Sequence, residues 1–155
     1  FLKYESGKEN LTSSDCSGSV CLALLLATGC AIRVTADSLY RKYFTKKNPD
    51  KNDIQAAFFI TLYDRKLGSR VYKENEVCHV AGVCGKDVVL NCVEPYSELR
   101  SLNDMKPYYQ ANDYRIIVRG LDRETLQKAS DDNVDLFGAD YQFEQTREAI
   151  DGVRG

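Results

Sequence analysis

One histidine, His79, stands in a chain of 155 residues. That scarcity excludes the common zinc sites built from cysteine and histidine together, and no two of the six cysteines have CxxC spacing, so no metal is expected. Long apolar runs are also missing. The longest nearly pure one, Val20 to Ala27, is far short of the roughly 18 to 20 residues that cross a bilayer, and no membrane span is expected. There is no basic excess: 21 Lys and Arg stand against 23 Asp and Glu, a formal net charge of -2, which disfavours a nucleic-acid partner held by a generally basic surface. Nor does a basic, apolar and small-residue progression follow Phe1. No signal peptide can therefore be read, and either a leader already removed or a longer parent polypeptide is expected. No internal repeat and no low-complexity tract occurs.

What is present suits one ordinary domain with a real core, since 43% of the residues are apolar. Five of the six cysteines (Cys16, Cys21, Cys30, Cys78, Cys84, Cys92) lie inside or beside apolar stretches, so buried thiols are the expectation rather than a disulfide framework. A polar loop over residues 1–15 leads to a helix from Ser17, capped by Ser14 or Asp15, apolar nearly all round and stopped by Gly29. Such a helix belongs in the middle of the core. A second helix is expected from about Thr35 to Phe44, then a charged surface loop from Thr45 to Asp53. Ala56–Tyr63, Cys78–Cys84, Asp87–Val93 and Tyr114–Arg119 read as strands of one mostly antiparallel sheet. The order indicates an α+β fold with helices gathered on one side. After Gly120 come two charged amphipathic segments, 121–128 and 143–150, so residues 1–120 are expected to form the domain and 121–155 an extension that packs on it or leads to a further one.

Cys16 lies where the polar loop becomes the buried helix, in Ser14-Asp15-Cys16-Ser17-Gly18. A thiol at a helix start feels the positive end of the helix dipole and nearby unpaired N–H groups, both of which favour thiolate. The same donors can face a developing oxyanion. The alternative is that Asp15 or Ser17 caps the helix and Cys16 is a small apolar filler. His79, being the only histidine, is the only residue that can complete a Cys-His pair; a lone strand histidine can equally be a hydrogen-bonded structural residue. If Cys84-Gly85-Lys86 forms a three-residue hairpin loop, Asn91 stands directly opposite His79 and shares its face, giving a Cys-His-Asn order along the chain. A two-residue turn at Gly85-Lys86 would instead put Cys92 opposite His79 and turn Asn91 to the other face.

These residues carry a resemblance. Asp15-Cys16-Ser17-Gly18-Ser19-Val20 is similar, nearly letter for letter, to the nucleophile motif of the NlpC-type cell-wall cysteine peptidases. Tyr4, in Tyr-Glu-Ser-Gly, precedes the cysteine at the spacing of that family's Tyr-x-x-Gly-Gly segment. Arg33-Val-Thr35-Ala36, Ala57-Phe58-Phe59 and His79-Val80-Ala81-Gly82-Val83 resemble further family segments in order, and Asn91 falls at the place of its third polar residue. The resemblance covers roughly residues 4 to 120. It departs in having one glycine after Tyr4 and no Gly-Asp pair before Phe58.

The resemblance implies a papain-like fold in which N-terminal helices pack on the sheet and the nucleophile opens the central helix. It implies cleavage of an amide in bacterial peptidoglycan stem peptides, with Cys16, His79 and Asn91 catalytic, with Tyr4, Asp15 and Ser17 near the substrate, and with no cofactor. An extracellular, periplasmic or virion-associated location follows from the same source, within a larger polypeptide or assembly if the parent is longer. Two alternatives stay open: a papain-like lysin amidase or acyltransferase, and a non-catalytic wall-binding or structural module on the same fold, for example in a phage tail.

Overall fold

The computed structural model describes residues 3–4, 13–14, 16–67, 70–93 and 96–136. Two short strands, β1 (Lys3–Tyr4) and β2 (Ser13–Ser14), precede helix α1 (Cys16–Thr28). Helix α1 stops where the sequence predicts, at Gly29, which takes φ +75° and donates its N–H to Leu25 O at 2.9 Å. Glycine closes helices in this conformation because it carries no Cβ to clash. A short helix α2 (Ala36–Ser38), capped by the Thr35 hydroxyl, runs into a wider turn over Leu39–Tyr43 that closes with Phe44 N–H bonding Leu39 O at 2.8 Å.

The remaining elements are strands β3 (Gln55–Thr61), β4 (Arg65–Leu67), β5 (Arg70–Tyr72), β6 (Val77–Gly85), β7 (Val88–Val93) and β8 (Tyr96–Ser101), helix α3 (Leu102–Ala111), strand β9 (Tyr114–Gly120) and helix α4 (Arg123–Asp131). Seven strands form one sheet in the order β2-β1-β8-β7-β6-β3-β9, antiparallel except between β1 and β2; β4 and β5 make a separate hairpin. The protein is an α+β domain built on an antiparallel sheet.

Period-two alternation along β3 divides the core in two. Ala56, Phe58 and Ile60, with Val77 and Val80 of β6, pack against Val20, Cys21 and Leu24 of α1, Leu39 and Tyr43, and Leu126 and Ala129 of α4. Ala57 and Phe59, with Ala81 and Val89, pack against Leu102 and Met105 of α3. Helices therefore lie on both faces, which corrects the expectation that they gather on one side. The cause is α3, which carries Pro107 inside it and so reads as a helix breaker; the Ser101 hydroxyl caps its start by accepting from Asp104 N.

Helix α1 is also less central than its composition suggests. Ala23, Leu26 and Ala27 face solvent at helical spacing, because α1 forms an outer layer with one face on the sheet. Of the extension after Gly120, the described part packs on this core. Leu126 is buried, and residues 133–136 fold back so that Arg33 N donates to Asp135 O at 2.7 Å and the Asp135 carboxylate takes hydrogen bonds from Tyr43 and Lys42. The segment 143–150 lies outside the described residues. No helix among the described residues is long and apolar enough to cross a membrane.

Candidate active site

His79 sits on β6 opposite Phe59 of β3, and their rings lie 5.1 Å apart. Its Nε2 is 2.5 Å from Asn91 Oδ1. With the amide oxygen as acceptor, Nε2 carries the proton and Nδ1 keeps the lone pair, which is the form a general base needs. Asn91 is 1% exposed, and among the described residues its Nδ2 has no hydrogen-bond partner. Burial pushes the imidazole below its ordinary pKa of 6.5, and the bond to Asn91 opposes part of that shift.

The strand register that makes this pair differs from the expected one. The loop is two residues, Lys86 and Asp87, with Asp87 at φ +59°, and the register then shifts between Gly85 and Val83 so that Cys84 is an extra residue. Beyond it Val83 pairs with Val89 and Gly82 with Leu90, which sets Asn91 beside Ala81 and diagonal to His79 rather than directly opposite. With Cys84 paired in register instead of extruded, the Gly85–Val88 pairing would run on to match Asn91 with Gly82 and turn it to the other face. The bulge thus restores the face that the pair needs, and the diagonal spacing remains within side-chain reach.

Cys16 is the first residue of α1, half-buried, and packs against the cluster that holds Val77 and Val80 of the histidine's own strand. Its thiol lies within electrostatic reach of Tyr72 on β5. Burial pushes the Tyr72 phenol up, Arg70 pulls it back, and the thiols of Cys16 and of Cys78, the residue before His79, both add to the rise. Cys16 and the start of β6 therefore share one neighbourhood. The described contacts of the imidazole are to Asn91 and Phe59, on the α3 side of the sheet, and no hydrogen bond joins it to Cys16 among the described residues.

Ser17 is buried, and its hydroxyl accepts from Arg33 Nη1 at 3.0 Å, while the same nitrogen donates to Val34 O at 2.9 Å. Arg33 itself is only 5% exposed, so a guanidinium is held beneath the start of α1, close to where a thiolate would form. Asp15 lies outside the described residues, as does the side chain of Tyr4, whose backbone is in β1. Two contributors escape sequence reasoning. Phe59 reads as plain core yet packs at a tilt against the imidazole, and Tyr72 lies in a short strand without alternation. For Arg33 a signal does exist, a lone charge in the apolar run Cys30–Val34.

No disulfide joins the described cysteines Cys16, Cys21, Cys30, Cys78 and Cys84; Cys84, at the bulge, is exposed rather than buried. Burial raises the Cys78 thiol to about 11, which makes it a poor nucleophile despite adjoining His79. Among the described residues no group of three or more His, Cys, Asp or Glu side chains is placed to hold a metal ion.

What fold and site together define is an α+β domain carrying a hydrogen-bonded His-Asn pair on the α3 face of its sheet and, packed on the other face, a helix that opens with a cysteine. No family model matches the chain, and no curated protein matches it.

Proposed function

We propose that this protein is a papain-like thiol hydrolase in which Cys16 is the nucleophile, His79 the base and Asn91 the residue that orients the base. The observation that carries the reading is the His79–Asn91 hydrogen bond, because it leaves Nδ1 as the nitrogen able to take a proton. Nδ1 removes the Cys16 proton, and the thiolate attacks an amide carbonyl. N–H groups at the start of α1 steady the oxyanion, helped by the dipole of the 13-residue helix and by the buried Arg33 charge. The amine leaves with the proton from His79, and water then releases the acyl group from sulfur. Cys16 packs on the α1 face of the sheet and the imidazole on the α3 face, so proton transfer between them requires the start of α1 to shift when substrate binds.

The substrate class follows from the resemblance in the nucleophile segment: peptide amides of bacterial peptidoglycan, met outside the cell, in the periplasm or on a virion. The test is release of new amines and peptide fragments from purified peptidoglycan, with products identified by mass spectrometry. Release by the wild-type chain that disappears in Cys16→Ala supports the reading, and the masses name the bond. One observation favours a second reading, a non-catalytic wall-binding module: the imidazole is packed against Phe59 and hydrogen-bonded to Asn91 rather than to Cys16. Wall binding by a folded chain that releases nothing would select it.

A further inference from the structure

A pocket of about 640 Å³ opens at the far end of the β6–β7 hairpin, on the α3 side of the sheet. It lies four residues along β6 from His79, ~13 Å at the rise of an extended strand, and touches none of the residues assigned above to catalysis. Its volume is that of an ordinary small-molecule site. Its apolar lining is Val83, Val88, Val89, Leu102 and Val118, of which Val88 is exposed, Val83 and Val118 are half-buried, Leu102 is buried and Val89 is fully covered.

Charge around the rim is unbalanced in a specific way. Of its two carboxylates, Asp53 accepts from Lys46 Nζ at 2.8 Å, and Asp87 accepts from the Ser101 hydroxyl and from Asn103 N. Asp53 is thus ion-paired, whereas Asp87 takes hydrogen bonds from neutral donors and keeps its charge at the rim. The rim lysines, Lys51 and Lys86, are exposed and form no ion pair among the described residues. With Asp53 paired to Lys46, the mouth carries two ammonium groups against the one carboxylate of Asp87, an excess of one positive charge that suits a ligand with an aliphatic body and a single anionic head.

We propose that this pocket binds an amphiphilic carboxylate, an aliphatic chain of several carbons lying on Val83, Val88, Leu102 and Val118 with its carboxylate between Lys51 and Lys86. Binding of this kind needs neither Cys16 nor His79. The exposed thiol of Cys84 lines the same pocket and supplies the readout. In a full-length Cys16→Ala background, alkylation of Cys84 by iodoacetamide is followed by peptide mapping in the presence of octanoate or of octan-1-ol. Octanoate is expected to slow Cys84 alkylation at concentrations where octan-1-ol does not, and to raise the melting temperature. Lys51→Glu combined with Lys86→Glu, both on exposed side chains, is expected to weaken octanoate protection about tenfold or more while leaving the fold unchanged by circular dichroism. Equal protection by octan-1-ol, unchanged protection in the double variant, or no protection by millimolar octanoate would each overturn the proposal.

Discussion

Replacing Asn91 with alanine separates a catalytic pair from a structural one, because the two roles predict different balances of stability and rate. In the folded chain Asn91 Oδ1 accepts from His79 Nε2 at 2.5 Å, whereas its own Nδ2 is buried without a partner among the described residues. Removing the oxygen leaves a buried imidazole N–H unpaired, at a cost of ~1 to 3 kcal/mol. Removing the amide nitrogen relieves a burial cost of the same order, about 1 to 3 kcal/mol. The small void left by truncation adds under ~1 kcal/mol. Asn91→Ala is therefore expected to shift the urea midpoint by the equivalent of no more than about 1 kcal/mol, less than a fully satisfied buried partner would cost. Turnover should fall by about a hundredfold, the penalty typical of a misplaced catalytic group, since nothing then holds the imidazole with Nδ1 unprotonated. Stability is read from urea unfolding and rate from amine release by the folded variant. A loss of about 3 kcal/mol or more with turnover per folded molecule unchanged would refute the reasoning and leave the pair a structural one.

Because the chain has one histidine, its pH dependence can be assigned without ambiguity. Burial disfavours the imidazolium, so the unfolded chain takes the proton first as pH falls; stability is expected to be complete above pH 6.5, to decline as pH drops from 6.5 towards the lower folded value, and to lose that slope in His79→Gln, as followed by urea midpoints between pH 5 and 7.5. The lowered carboxylates Asp53, Asp87, Asp122 and Asp135 act at more acidic pH and leave this window clear. Deleting Cys84 removes the extruded residue while leaving Val83 opposite Val89, so Asn91 should keep the face of His79 and turnover should persist, and Cys84→Ser should change stability by less than about 0.5 kcal/mol; turnover lost in a folded deletion variant would contradict the bulge argument. Leu126→Ala, at a fully buried position of α4, should cost about 2 to 5 kcal/mol in urea unfolding, and a cost near zero would show that α4 is not part of the core.

Much of the layout is legible in the chain itself, because local chemistry decides it. Gly29 ends α1 through its freedom at positive φ, the Thr35 hydroxyl caps α2, and β-branched and aromatic alternation marks β3, β6, β7 and β9 within a residue or two of where they run. The chemistry of the site is also written locally: a cysteine at a helix start, a lone histidine on a strand, and an asparagine twelve positions beyond it. Features that depend on partners are not legible. Helix α3 contains Pro107 and is held by Leu102 and Met105 against Phe59 and Ala81, contacts made only once the sheet exists. Whether Asn91 meets His79 turns on Cys84 being extruded as a bulge beside a two-residue turn, a choice between registers whose local propensities are nearly equal and whose burial patterns are opposite. Composition, caps and alternation thus determined which elements form and which side chains could react. Only packing on both faces of the sheet decided the register that brings His79 to Asn91, the ring that covers it, and the guanidinium that lies beneath Ser17.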